Sequence, residues 1–300
     1  MIKEYSNYLQ LEQGLSPNSR EAYLHDVRML QDFLGPDYDL REATIGVLSE
    51  FVQELGMTGL SATSQARVIS GVRSFYHFLF YAGKIPYNPA ERLVSPKTGR
   101  HLPAVLSFEE IEQMIDTLES GTMNIDEHLV RRNRAIIEVL YGSGLRVSEL
   151  VNLKFSDIRF DEGFMIIRGK GDKQRMVPIS DMSVEQIHSY EPLRNKLNIK
   201  KGEEDFVFLN RRGAHLTRTM VLIMLKNLAA AAGIKKTISP HTLRHSFATS
   251  MLEGGANLRV IQMLLGHEQI TTTEIYTHID NQRMREEIIN FHPRNQLKKR

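Results

Sequence analysis

The chain has 300 residues, 41% hydrophobic and 25% charged, which is the balance of an ordinary soluble protein with room for two full cores. It contains no cysteine, which excludes disulfides and cysteine-based zinc sites, and its formal net charge of +2 neither marks nor excludes a polyanionic partner. No stretch approaches the ~18–20 apolar residues of a membrane span, and MIKEYSNYLQLEQ lacks the apolar run of a signal peptide, so the expected location is the cytoplasm.

The first hundred residues carry 10 Lys+Arg against 11 Asp+Glu, and the rest 28 against 25. They read as four helices. Segments near 2–12 and 45–56 supply two. Another starts at Ser16-Pro17, a capping hydroxyl followed by a proline at the first helical position. Tyr23, Val27, Leu30 and Leu34 follow as one apolar stripe, and Gly35-Pro36 stops it. Val68, Val72, Phe75 and Leu79 repeat the spacing on a helix that begins near Ser61–Ser64 and ends at Gly83. Residues 84–105 hold four prolines and read as a linker between domains. The expected division is 1–85, a helical N-terminal domain, 86–105, a linker, and 106–300, a second domain.

That second domain is expected to be mainly α with a small β element. Ser107-Phe108-Glu109-Glu110 is a capping-box pattern. Residues 133–141 continue helical, and Gly142 and Gly144 interrupt the chain before a helix over Arg146–Leu153. Phe164–Arg168 and Arg175–Ile179 are short apolar runs separated by a polar Gly-Lys turn, a hairpin pattern. A helix covers Thr219–Ala232. Ser239-Pro240 starts one more, which Gly254-Gly255 ends.

The chemistry-bearing residues concentrate here. His241, Arg244, His267 and Tyr276 fall within 36 residues. Taken singly each has an ordinary explanation: a surface Arg, a polar residue past a helix cap, a core Tyr. As a set, two basic side chains, a second His and a phenol suit the holding of a phosphodiester and its attack by the phenol oxygen. His241, Arg244 and His245 share one face at a helix start, where free N–H groups favour an anion. His241 and His245 at i and i+4 also have metal-ligand spacing. However, Thr242 replaces the Glu of an HExxH motif and an Arg within the set repels a cation, so no metal is expected. Upstream, Arg146 between glycines offers a fork of donors to phosphate oxygens. Lys170, in the hairpin turn, has the chemistry of a general acid, with Lys173 of the same turn as its competitor.

Together these residues resemble the tyrosine site-specific recombinases of the phage-integrase superfamily. The likeness is carried by SGLRVSEL, GKGDKQRMVPIS, SPHTLRHSFATSML, IQMLLGH and TTTEIYTH, with ATSQARVISGVRSFYHFL and NPA upstream. Phe291-His292-Pro293-Arg294 resembles the tail of the XerC/XerD subgroup. The resemblance covers nearly the whole chain. It implies a C-shaped, two-domain DNA clamp with a four-helix, SAM-like core-binding domain and a mixed α+β catalytic domain.

It also implies a mechanism. Tyr276 is the nucleophile that forms a 3′-phosphotyrosyl bond and releases a 5′-hydroxyl. Arg146 and Arg244 hold the phosphate oxygens, His267 donates to them, His241 is an acid/base partner and Lys170 protonates the leaving oxygen. No cofactor, ATP or metal is expected, because transesterification stores the bond energy. Arg67, Arg73 and Lys173 are candidate DNA contacts. The implied partners are double-stranded DNA with a specific site, homologous recombinase subunits in a tetramer and an FtsK-type DNA translocase, with no membrane. The implied role is resolution of chromosome dimers at cell division. The alternatives are a mobile-element integrase or invertase, a type IB topoisomerase, and a DNA-binding protein that does not cut. Met284, Ile288 and Phe291, spaced i, i+4, i+7, suit either a neighbouring subunit or their own domain.

Overall fold

A computed structural model describes residues 1–97, 104–169, 174–266 and 278–296. The chain divides into two compact units, Met1–His101 and Leu102–Arg300. No described helix is long and apolar enough to cross a membrane.

The first unit consists of α1 (Ile2–Leu11), α2 (Pro17–Leu34), α3 (Ile45–Met57) and α4 (Ala62–Tyr81). The local signals for these helices are physical. Ser16 and Ser61 each accept the N–H three residues on, Ser19 and Ser64, at 3.2 Å. Such a cap contributes about 1 kcal/mol. Gly35 ends α2 at a φ of 94°, open to glycine and costly for other residues. The expected stripes turn inward: Val27 and Leu30 from α2 meet Val68, Val72, Phe75 and Leu79 from α4. One buried polar contact crosses this core. Asp26 of α2 is 1% exposed and takes both ends of the Arg67 guanidinium, at 2.6 and 2.8 Å.

The second unit is helical around one three-stranded antiparallel sheet, with strand order β1-β2-β3. Its helices run α5 (Phe108–Glu119), α6 (Glu127–Ser143) and α7 (Val147–Val151). The strands β1 (Ile158–Arg159), β2 (Phe164–Arg168) and β3 (Gln174–Pro178) come next, followed by α8 (Asp181–Arg194), α9 (Arg218–Ala231), α10 (Pro240–Glu253), α11 (Leu258–Leu265), α12 (His278–Phe291) and α13 (Pro293–Gln296). The Ser107–Glu110 capping box closes reciprocally, at 3.2 and 2.8 Å. The hairpin pairs Met165 with Val177 and Phe164 with Pro178. Short β1 adds Ile158 opposite Met165, a strand that two residues of sequence do not announce.

Helix α8 is the element that apolar periodicity misses. Its buried face mixes Ser183, Gln186 and Arg194 with Ile187 and Tyr190, and Pro192 lies inside it. Ser183 and Arg194 are satisfied by specific partners. Ser183 donates to the Glu138 carbonyl at 3.0 Å, and Arg194 donates to the Phe206 carbonyl through Nε and Nη2. A stripe built from hydrogen bonds carries no hydrophobic period.

The C-terminal segment packs in its own unit. Met284 and Ile288 of α12 are each 2% exposed in the main core, with Phe291 against it. Beyond them, His292 is fully buried. Its Nε2–H donates to the Tyr141 carbonyl at 3.1 Å and its Nδ1 accepts the Arg294 N–H at 3.3 Å, which sets the tautomer. The ring sits between Tyr141 and Phe247, at centroid distances of 4.7 and 5.5 Å.

Burial, helped by the Arg294 charge, pulls the His292 pKa down to about 3. The native state therefore holds a neutral ring, whereas the unfolded chain takes up a proton near ~6.5. The His292 contribution is complete above that value and is lost as the pH falls toward 3. Unfolding free energies measured from pH 7 to pH 4 are expected to fall, with a slope up to ~1.4 kcal/mol per pH unit steeper than in His292→Gln. Equal slopes for the two proteins would remove this origin of acid sensitivity.

Candidate active site

Three segments of the second unit converge on one charged cluster. The first is the turn between α6 and α7. Gly144 caps α6 with a φ of 61°, and a Cβ there would lie 2.5 Å from the Phe247 ring, so both conformation and space demand glycine. The turn delivers Arg146 to the N-cap of α7. The second is the start of α10, where Ser239 accepts the Thr242 N–H at 3.3 Å and Pro240 occupies the first position. This helix carries His241 and, one turn on, Arg244. The third is the C-terminus of α11, closed by Gly266 at a φ of 64°.

Arg244 is 9% exposed and bridges the first and third segments. Its Nη1 donates to the Gly144 carbonyl at 2.6 Å and its Nη2 to the Leu265 carbonyl. Arg146 is half-buried. Its Nη2 donates to the Gly266 carbonyl at 3.2 Å and its Nη1 to Glu149 Oε1 at 3.0 Å. The two guanidiniums thus share the ends of the same two segments, reaching consecutive carbonyls, Leu265 and Gly266. Burial first, and then the neighbouring charge of Arg146, pulls the Arg244 pKa down to about 10. It remains protonated at neutral pH, and among the described residues no carboxylate forms an ion pair with it.

Two residues that sequence reasoning did not single out complete the cluster. Glu149, 7% exposed, accepts Arg175 through both oxygens at 2.7 and 2.9 Å, and its Oε2 accepts the Arg146 N–H at 2.7 Å. Burial alone would raise its pKa. The hydrogen bonds and charge of Arg175, joined by Arg146, outweigh that and hold the carboxyl below its ordinary value. Two guanidiniums, those of Arg146 and Arg175, therefore share one carboxylate, while Arg244 is held by carbonyls. The signal available in the sequence was the Glu at the third position after Arg146, within SGLRVSEL. Arg175 lies within GKGDKQRMVPIS, where it looks like the polar member of an alternating strand.

His241 and His245 are exposed on α10. Together with Arg244, Ala248 and Thr249 they line a cleft of about 530 Å³ whose other wall is Leu258, Ile261, Gln262 and Leu265 of α11. Among the described residues no group of three or more His, Asp or Glu could hold a metal ion. Lys170, Lys173, His267 and Tyr276 lie outside the described residues. The chain places Lys170 and Lys173 between β2 and β3, and His267 directly after Gly266.

The two arginines expected as DNA contacts are both engaged internally. Arg67 is half-exposed and paired with Asp26. Arg73 is half-buried and donates through Nη2 to the Leu93 carbonyl.

Comparison with known proteins gives a consistent picture. Residues 104–283 match the Phage integrase family, and residues 2–83 match the Phage integrase, N-terminal SAM-like domain. The chain is 40% identical over 302 residues to tyrosine recombinase XerD of Listeria monocytogenes, covering 98% of this chain and 99% of that protein. It is 41% identical over 295 residues to tyrosine recombinase XerD of Chlorobaculum tepidum, covering 98% and 96%. Among solved structures, XerH site-specific recombinase in a post-cleavage complex with a palindromic difH substrate aligns with a TM-score of 0.70 at 22% identity, covering 96% of this chain and 84% of that one. The Tn1549 transposon integrase with circular-intermediate DNA aligns at 0.70 and 18%, covering 99% and 98%. At these identities the two structures speak to fold alone.

Proposed function

The chain belongs to the phage integrase family, as a tyrosine recombinase of the XerC/XerD type that cleaves and rejoins DNA, and from that premise we propose that the Arg146–Arg244 cluster holds the scissile phosphate while Tyr276 attacks it. The observation that carries this reading is the pair of guanidiniums on the Leu265 and Gly266 carbonyls, immediately before His267. Carbonyl oxygens are weak partners for a cation compared with an anionic phosphate. A phosphate entering the cluster gains charge-assisted hydrogen bonds from donors that are already oriented.

The step balances without an external energy source. The Tyr276 Oη–phosphorus bond forms, the bond from phosphorus to the 5′ oxygen breaks, and one ester replaces another. A phenol nucleophile must lose its proton as the bond to phosphorus forms. We assign that proton to His241, and the proton that the leaving 5′ oxygen needs to Lys170. Arg146 and Arg244, with His267, stabilise the charge that builds on the non-bridging oxygens. No step in this scheme calls for a cofactor.

The proposed substrate is double-stranded DNA bearing a specific site, bound by homologous subunits assembled as a tetramer. Similarity to XerD proteins over almost the whole chain supports the resolution of chromosome dimers, with an FtsK-type translocase as the proposed activator. In the first unit, Arg67 and Arg73 are proposed to meet DNA with the donors that Asp26 and Leu93 leave free.

A nicked suicide substrate tests the assignment, because loss of the small cleaved fragment traps the covalent intermediate. The wild-type protein is expected to accumulate a protein–DNA adduct without added metal or ATP, and Tyr276→Phe is expected to bind the same DNA and form none. Adduct formation by Tyr276→Phe would show that another residue is the nucleophile. Tight binding with no adduct from the wild type would leave a DNA-binding protein that does not cut.

A further inference from the structure

Glu149 poses a question that the phosphate-holding role of Arg146 leaves open. A buried carboxylate next to an arginine ordinarily forms a neutral pair with it, and a neutralised Arg146 would have little attraction left for a phosphate. The geometry resolves this through Arg175. Its guanidinium meets Glu149 fork to fork, Nη1 to Oε1 at 2.7 Å and Nη2 to Oε2 at 2.9 Å. Arg146 receives the lesser share: one side-chain bond of 3.0 Å to Oε1 and one backbone bond to Oε2. Bidentate pairing is the stronger and more directional of the two.

Arg175 is also placed to join the segments that carry the site. Its side chain is 9% exposed, against 39% for Arg146. It is the second residue of β3, two positions after Lys173 in the chain. Its Nε is buried without a hydrogen-bond partner and stands 3.0 Å from where a Cβ on Gly266 would sit. One side chain therefore touches the base of the hairpin, the carboxylate on α7 and the last residue before His267. The absence of a Cβ at Gly266 is what admits it.

We infer that Arg175 is a positioning residue for strand cleavage: by taking the Glu149 carboxylate in a bidentate pair, it leaves the charge of Arg146 available to the scissile phosphate and locks the hairpin against the Gly266 turn. This rests on the phosphate-holding role proposed above for Arg146. Arg175 itself need not touch DNA. Its effect passes through Glu149.

The distinguishing test is compensation. With full-length protein and the nicked substrate at saturating concentration, Arg175→Met is expected to slow adduct formation on the order of 100-fold, the size of loss seen when one oriented donor fails. Affinity for the site should stay within about 3-fold, because phosphate contacts elsewhere dominate binding. Adding Glu149→Gln to Arg175→Met is expected to restore the rate at least about 10-fold, since a neutral amide no longer draws on Arg146. Arg175→Lys, which keeps the charge and loses the fork, should fall between wild type and Arg175→Met.

A purely structural role predicts the reverse, a double variant no faster than the single one, and that result would overturn the inference. So would a wild-type rate for Arg175→Met. If Arg175→Met does not fold, as judged by circular dichroism, the comparison passes to Arg175→Lys with and without Glu149→Gln, and the double variant must again be the faster. Failure of the wild type to form any adduct would instead count against the proposed reaction and would be seen in the same experiment.

Discussion

Arg244→Met is expected to lose strand cleavage by about 10³-fold while the protein stays folded. Two observations set that ratio. Arg244 is buried and cationic, with its pKa pulled down to about 10 by burial and by Arg146, so the folded chain gains little from its charge in the absence of DNA. Its structural bonds are to two carbonyls, Gly144 and Leu265, and leaving such acceptors unpaired costs about 1–3 kcal/mol each at most. Removing one charged donor from a transition state that concentrates negative charge on phosphate costs about 10²–10³-fold, and arginines in phosphoryl transfer contribute more, about 10³–10⁵-fold. The kinetic loss therefore exceeds the stability loss. Arg244→Lys should be nearly as slow, because a single ammonium cannot bridge both carbonyls and still face a phosphate. The check is the single-turnover rate of adduct formation alongside a thermal melt. A variant that cleaves at the wild-type rate would move the phosphate site away from α10.

The largest expected loss of stability lies about 150 residues from Arg146, at Arg294. This side chain is 2% exposed, on the four-residue helix α13. It pairs with Glu138 of α6 through Nη2 to Oε1 at 2.5 Å and Nε to Oε2 at 3.0 Å, and it also reaches Glu112 of α5. Glu138 is 1% exposed, and burial pushes its carboxyl above the ordinary range even with Arg294 beside it. Arg294→Met would leave that carboxylate, among the described residues, with Arg134 as its one cationic partner, at 3.3 Å. Breaking a buried pair on one side costs about 3–5 kcal/mol. Replacing both partners with apolar groups of similar volume is often neutral or stabilising. Arg294→Met is therefore expected to lower the denaturant midpoint strongly, and Arg294→Met with Glu138→Leu to recover most of it. Equal losses in the two proteins would mean that the tail is held by its apolar contacts, Met284, Ile288 and the His292 ring, rather than by charge.

The two variants probe the same, C-terminal end of α6. Glu138 and Tyr141, which hold Arg294 and His292, lie on the last two turns of α6, and Gly144 and Arg146 follow directly. The tail thus braces the helix that presents Arg146. Met284 and Ile288, whose spacing suited either a neighbouring subunit or their own unit, are spent on the core of their own unit.

Much of this was legible in the primary structure because it depends on local chemistry. Ser16-Pro17, Ser61, Ser107–Glu110 and Ser239-Pro240 cap their own helices, using donors at most three residues away. The apolar stripes of α2 and α4 are set by 3.6-residue periodicity, which any partner surface would exploit. Arg146, His241 and Arg244 stand out in the sequence as a candidate phosphate-binding set, and the motif strings around them carry the family. Lys170, Lys173, His267 and Tyr276 came from the same strings, and their roles remain assignments for the cleavage assay to decide.

What only the tertiary structure decided depends on pairs distant in sequence. Helix α8 presents Ser183 and Arg194 inward because Glu138 and Phe206 offer carbonyls there, and no periodicity within fourteen residues can encode an acceptor elsewhere in the chain. Arg67 turns out to be committed to Asp26, 41 residues away. Arg175 meets Glu149, 26 residues away, and only the folded cluster shows that one carboxylate is shared by two of three arginines. Caps and stripes follow from the backbone's own geometry, so residue order suffices to read them. A buried charge takes its meaning from whichever counter-charge the fold brings to it, and that pairing exists only once the chain has closed.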